Sequence, residues 1–178
     1  MIRIVAGKYR RLCINQPNSD KVRPTQDRVR EAMFSALGDI ENRNTLDLFA
    51  GSGALGFEAL SRGASKVTFV DCLKLCVQAI KDSSIKIHCE NDVVIYLNDY
   101  KSALGKLSSC KYGLVLLDPP YKMNINKEIV EYMVDNDMLE GDAIVVAEQE
   151  SDIEEIDGFA LKRYKYSYKQ VGIYRRVK

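Results

Sequence analysis

From Asp27 onward the apolar residues Val29, Ala32, Met33, Ala36 and Leu37 recur at the three- and four-residue intervals of a helical stripe, which Gly38 closes. Upstream, Ile2, Ile4, Leu12 and Ile14 alternate weakly around Gly7-Lys8-Tyr9-Arg10, the pattern of a small hairpin. Downstream the chain switches repeatedly between short apolar runs and helical spacing. Thr45–Phe49 reads as a buried strand; glycines and a helix over Ala54–Arg62 follow, with Gly63 as its stop. Lys66–Val70 is a second strand, and Leu73, Cys76, Val77, Ile80, Ser84 and Ile87 mark the face of the next helix. Val93–Leu97 is a third strand, with a short helix near Lys101–Leu107. A fourth, Leu114–Leu117, runs straight into Asp118-Pro119-Pro120-Tyr121. A helix near Asn126–Asp137 precedes a fifth strand at Ala143–Ala147, and Leu161–Tyr168 with Val171–Val177 closes the chain as an antiparallel hairpin.

Strands alternating with helices at this spacing predict an α/β fold with a mostly parallel, doubly wound sheet. The expected organisation is a basic hairpin extension over residues 1–22 and one globular unit over 23–178, a length that can bury a real core. No apolar run approaches the roughly 20 residues of a membrane helix. The charged start (Lys8, Arg10, Arg11) does not read as a secretory signal, so a cytoplasmic protein is expected. Cys13, Cys72, Cys76, Cys89 and Cys110 contain no CxxC pair and read as reduced thiols filling the core. With His88 the single histidine, placed on a helix face, no metal site is expected.

The formal net charge of +1 conceals an asymmetry. Residues 1–30 carry a net +6 and residues 161–178 a net +7, around a body of −12. Two basic ends suggest a face for a polyanion, provided they meet in space. Arg3, Lys8, Arg10, Arg11, Arg23, Arg28 and Arg30 are the candidate contacts, with Arg28 and Arg30 expected to point outward from the first helix. Tyr164, Tyr166, Tyr168 and Tyr174 alternate with basic residues in the last hairpin, where strand packing accounts for them better than stacking on RNA.

The first strand ends in Asp47-Leu48-Phe49-Ala50-Gly51-Ser52-Gly53-Ala54-Leu55-Gly56, a glycine-rich turn that lets a ligand approach the backbone. Alone, it suits a dinucleotide equally well. Asp47 shifts the balance, because a carboxylate inside an apolar strand is costly unless it meets a cation or a set of donors. The ammonium of S-adenosylmethionine is such a cation; bracing of the loop is the competing account. Asp71, twenty residues after Gly51, is placed to accept two ribose hydroxyls. Asp99, or the adjacent Asn98, follows the third strand where a side chain can accept from an adenine amino group, or cap the next helix. Thr25 and Phe49 are counted with these cofactor-facing residues.

Asp118-Pro119-Pro120-Tyr121 carries the chemistry. Methylating an aryl amine requires a flat, delocalised nitrogen lone pair to become available. A carboxylate (Asp118) and a peptide oxygen (Pro119), each accepting an amino proton, favour a tetrahedral nitrogen and stabilise its developing positive charge. Pro119 and Pro120 stiffen the turn, and Tyr121 offers a ring for a flipped-out base. Together with the opening Arg3-Ile4-Val5-Ala6-Gly7 and the stretch Arg23-Pro24-Thr25-x-Asp27-Arg28-Val29-Arg30-Glu31, these motifs run over nearly the whole chain. In that order they resemble the bacterial 16S ribosomal RNA guanine-N2 methyltransferases of the RsmD type.

The resemblance implies a Rossmann-like class I methyltransferase fold with S-adenosyl-L-methionine as donor. It implies N2 of guanine 966 of 16S rRNA as target, in an assembling or assembled small ribosomal subunit. By position it makes Asp118, Pro119 and Tyr121 the amino-group site, and Asp47, Gly51, Gly53, Asp71 and Asp99 the cofactor contacts. Asp71 stands where the family more usually has Glu, and the segment over residues 83–101 is less typical. A monomer is expected. The rivals are a DNA adenine-N6 methyltransferase, a non-catalytic RNA-binding assembly factor, and an NAD-dependent oxidoreductase, which would leave Asp47 and the Asp-Pro-Pro-Tyr turn without a purpose.

Overall fold

A computed structural model describes residues 1–17, 27–120, 123–166 and 169–177. The short apolar runs become the strands of one seven-stranded sheet. In chain order the elements are β1 (Ile2–Arg3), β2 (Cys13–Ile14), α1 (Asp27–Leu37), β3 (Asn44–Asp47), α2 (Ala54–Ser61), β4 (Lys66–Asp71) and α3 (Lys74–Lys86). They continue with β5 (Val93–Leu97), α4 (Tyr100–Lys106), β6 (Tyr112–Leu117), α5 (Asn126–Asp135), β7 (Leu139–Gln149), β8 (Phe159–Tyr166) and β9 (Lys169–Arg176). The sheet order is β5-β4-β3-β6-β7-β9-β8, parallel from β5 to β7 and antiparallel where β9 joins β7 and β8.

The parallel strands are apolar because helices cover both of their faces. On one face Leu114, Leu116, Ile144 and Val146 pack with Met33 and Phe34 of α1, Phe57 of α2 and Ile80 of α3. On the other, Leu46, Val115 and Val145 pack with Leu104 of α4 and Ile129 and Met133 of α5. The expected α/β architecture with its closing antiparallel hairpin is therefore present.

β1 and β2 form a separate antiparallel pair, and Ile2, Ile4, Tyr9 and Ile14 enter the first of these cores. Backbone contacts lock the hairpin onto the end of α2. Lys8 N donates to Ser61 O at 2.7 Å, and Tyr9 N to Ser61 Oγ at 2.9 Å. Gly7 is obligatory there, since a Cβ would lie 1.8 Å from the Ser61 oxygen. Glu58, fully buried on α2, accepts from Val5 N at 2.8 Å and Ala6 N at 3.1 Å.

That carboxylate overturns the expected placement of Arg30. The stripe of α1 is rotated so that Arg30, Met33, Phe34 and Leu37 are buried while Ala32 is exposed. The large Phe34 ring gains more from burial than the small Ala32. Arg30 is 1% exposed, with Nε 3.5 Å from Glu58 Oε2 and Nη2 donating to Arg3 O. It is an interior clamp between hairpin, α1 and α2, and cannot reach a phosphate on the surface. His88 also departs from expectation: it lies exposed beyond α3 with φ 57°, in the turn that ends the helix rather than on its face. Of the cysteines, Cys76 and Cys89 are buried, but Cys72 is exposed.

Removing one partner of a buried ion pair leaves a desolvated charge. Glu58→Ala is therefore expected to cost about 3 kcal/mol or more of folding free energy, read by urea unfolding. A loss no larger than that of an exposed α3 control such as Gln78→Ala would contradict the clamp.

Candidate active site at the switch point of the sheet

Chain order reverses between β3 and β6, which lie side by side, and open α/β sheets bind ligands in the crevice beyond such a point. β3 delivers Asp47 to this rim, 2% exposed, with Oδ2 accepting from Gly56 N of α2 at 3.0 Å. One oxygen thus braces the loop. The following turn is pinned by Leu48 N to Leu116 O at 3.2 Å and Ala50 N to Val70 O at 3.0 Å. Gly51 (φ 54°) and Gly53 (φ 78°) supply the left-handed conformations that swing the chain into α2.

Asp71, ending β4, accepts from Gly51 N at 2.7 Å and Leu73 N at 2.8 Å, so it joins the glycine turn to the start of α3. Asn98 lies next to it, with its N–H on Asp71 O at 3.1 Å and its side-chain oxygen accepting from Lys106 Nζ at 3.1 Å. Asp99 is exposed and caps α4, accepting from Ser102 N at 3.0 Å, and the Ser102 hydroxyl followed by this amide holds its carboxyl below the usual range. The helix-capping role expected of it is thus present. The half-buried Phe49 ring packs on Tyr100 with centroids 5.6 Å apart.

From β6 the chain presents Asp118 half-buried, Pro119 buried and Pro120 exposed. Tyr121, Arg23, Pro24, Thr25 and Tyr168 lie outside the described residues. Asp118 Oδ2 sits 3.4 Å from Lys169 Nζ, which is also 2.8 Å from Glu148 Oε2. Neither Glu148 nor Lys169 is among the site residues expected from the sequence. Glu148 ends the apolar run Ala143–Ala147 just as Asp47 interrupts its strand, a signal of the same kind. Lys169 carries none, being one more basic residue in a basic hairpin.

These carboxylates lie in one another's fields. Burial, with the charges of Asp118, Asp71 and Glu148, outweighs the Gly56 amide and pushes Asp47 up to about 8. Burial, then the Asp118 charge, pushes Glu148 up to about 7 against the pull of Lys169. Burial raises Asp118 and Asp71 as well. With Glu148 balanced by Lys169, the remaining acids Asp47, Asp71 and Asp118 make a rim that favours a cationic ligand.

Arg3, Lys8, Arg10, Arg11 and Arg28 are exposed. Part of the C-terminal charge instead serves the fold. Arg175 donates to Leu37 O at 2.7 Å, Arg176 to Leu139 O at 2.8 Å and Arg163 to Ile153 O at 3.1 Å. Tyr174 is buried and donates to Glu154 O at 2.6 Å, in keeping with strand packing for that tyrosine.

The family model described as Conserved hypothetical protein 95 matches residues 2–175. The chain belongs to that family, the family of the RsmD-type proteins. Ribosomal RNA small subunit methyltransferase D of Haemophilus influenzae is 36% identical over 156 residues, 85% of this chain and 80% of that protein. The Escherichia coli K12 protein of the same name is 34% identical over 150 residues, 84% of this chain and 75% of its own length. Among solved structures, the Escherichia coli methyltransferase yhhF superposes with a TM-score of 0.88 at 28% identity, covering 98% of this chain and 97% of its own. The family expected from the motifs and the Rossmann-like methyltransferase fold are both borne out.

Folded Asp47 holds its proton up to about 8, whereas an ordinary aspartate releases it near 3.8. The folded state therefore binds more protons between those values, and Asp47 contributes stability that is lost as pH rises through that window. Glu148 acts with the same sign up to about 7. The ligand-free protein is expected to lose unfolding free energy between roughly pH 5 and pH 8, and Asp47→Asn to flatten that slope. Parallel slopes for the two proteins in denaturant titrations would contradict the assignment.

Proposed function

We propose that this protein transfers a methyl group from S-adenosyl-L-methionine to the exocyclic N2 amino group of a guanine in 16S rRNA, guanine 966 in family numbering, within the small ribosomal subunit. The observation that carries the reading is Asp118-Pro119-Pro120 emerging from β6 at the switch point, on the rim where Asp47 and Asp71 lie. The names of the curated relatives support ribosomal RNA as the acceptor.

The residues present fit the donor. The acidic rim suits a ligand with an ammonium and a sulfonium, and the left-handed glycines bring bare backbone to its edge. Asp47 and the Gly51–Gly53 turn would hold the methionyl end, Asp71 the ribose, and Asn98 or Asp99 with Phe49 and Thr25 the adenine side. Bound there, the sulfonium supplies an already activated methyl group.

What the chain itself contributes is placement. Asp118 and the Pro119 carbonyl accept the two amino protons, draw the nitrogen out of conjugation and oppose its developing positive charge. The two prolines keep these acceptors in fixed relation. Tyr121 stacks on the flipped base. No strong base is required, because the nitrogen becomes acidic once methylated. Arg3, Lys8, Arg10, Arg11, Arg23 and Arg28 meet the phosphates, and the protein works as a monomer in the cytoplasm.

Labelled donor incubated with unmethylated small subunits is expected to yield N2-methylguanine, identified by mass spectrometry of nucleosides. Asp118→Ala should lose about 2 kcal/mol or more of transition-state stabilisation in kcat/KM. Label in adenine of duplex DNA would favour the rival amino methyltransferase, and RNA binding without any transfer would favour an assembly factor. Neutralising Lys8, Arg10 and Arg11 together should weaken subunit binding and make it less steeply salt-dependent, the log–log slope falling by about one for each phosphate that is no longer neutralised. An unchanged salt slope would remove the hairpin from the RNA interface.

A further inference from the structure

The Glu148–Lys169 pair has no part in the reaction just described, yet it touches the central carboxylate of that reaction. Lys169, the first residue of β9, is 8% exposed, and Glu148 of β7 is 1% exposed. An ion pair this deep is not a stability device of any efficiency, because desolvating two charges offsets most of their attraction. Its geometry is asymmetric. The ammonium lies 2.8 Å from Glu148 Oε2 and 3.4 Å from Asp118 Oδ2.

Two consequences follow for Asp118. Its Oδ2 is tied to the lysine, and among the described residues no hydrogen bond reaches Oδ1, the oxygen left for an incoming amino proton. The carboxylate is thereby oriented. The second consequence is electrostatic. A lysine paired with Asp118 alone would cancel the negative charge that the reaction needs and would oppose positive charge growing on the nitrogen. Glu148, at the shorter distance, neutralises that lysine, so the pair orients Asp118 while adding no net charge to the rim. The other titratable groups facing Glu148 are Asp47 on β3 and Tyr166 on β8, neither of them a cation.

We propose that Glu148 and Lys169 are positioning residues for methyl transfer: Lys169 orients Asp118 through Oδ2, and Glu148 acts through Lys169 by absorbing its charge. The proposal rests on the amino-methyltransferase reading above. It differs from a purely structural role in one respect. A partner that acts only through Lys169 has nothing to do once Lys169 is gone.

The test is a double-mutant cycle on methyl transfer into unmethylated small subunits, with kcat and KM measured separately and S-adenosylhomocysteine affinity measured on each variant. Glu148→Gln, which keeps the shape and removes the charge, is expected to lower kcat roughly ten- to a hundredfold, the scale of a misplaced reacting group. KM for the subunit and product affinity should stay within about twofold, since Glu148 is 1% exposed and its charge is balanced by Lys169. Lys169→Met should also lower kcat. In that background Glu148→Gln should cost nothing further, so the double variant matches Lys169→Met alone. Additive losses, an unchanged kcat in Glu148→Gln, or product affinity falling in step with kcat would each overturn the proposal. Wild-type protein that transfers no methyl to small subunits would instead refute the reading on which it rests, and the pair's role with it.

Discussion

A carboxylate at the apolar end of a buried strand is unstable as an anion unless something positive or a set of donors faces it, and this sheet places several of them at one rim. Asp47 and Asp118 come from the two strands that flank the reversal of chain order, Asp71 and Glu148 from the strands beyond. Lys169 is the cation set among them. Burial first, then the charges of Asp118, Asp71 and Glu148 at Asp47 and of Asp118 at Glu148, raise the proton affinity of these two acids, so the rim is poised to release protons when a cationic ligand arrives. Fold and chemistry meet in that constraint.

The rest of the molecule holds this rim still. α2 begins at the glycine turn and ends on the N-terminal hairpin, so Glu58 and Ser61 anchor one end of a helix whose other end shapes the candidate pocket. Arg30 extends the anchor to α1, and Arg175 reaches the last turn of α1 from β9. The two basic segments of the sequence therefore both contact α1, at its opposite ends. Arg30 is buried and Arg175 half-buried in making these contacts, while Arg3, which offers only its carbonyl, and Lys8, Arg10, Arg11 and Arg28 remain exposed for a polyanion.

What could be read from the sequence depended on whether the signal was local. The parallel strands were legible because burial on both faces demands continuous apolar runs such as Leu114–Leu117. β7 begins earlier than expected, at Leu139, because Glu140, Gly141 and Asp142 break its apolar pattern at a register shift, after which the pairing with β6 resumes at Ile144. Asp47 and Asp118 stood out as acids at strand ends. Arg30 was misplaced because its partner lies 28 residues away, in a helix whose sequence gives no sign of an interior carboxylate. Glu148 carries the same local signal as Asp47, but its pairing with Lys169 escapes, since a contact across 21 positions follows from strand order and register, which spacing along the chain does not encode.

A crystal structure of the protein with S-adenosylhomocysteine tests the central claim most directly. The account predicts the thioether sulfur between the ends of β3 and β6, with Asp118 turned toward it and its Oδ2 still on Lys169. Product bound elsewhere, or Asp118 directed away from it, would contradict the account.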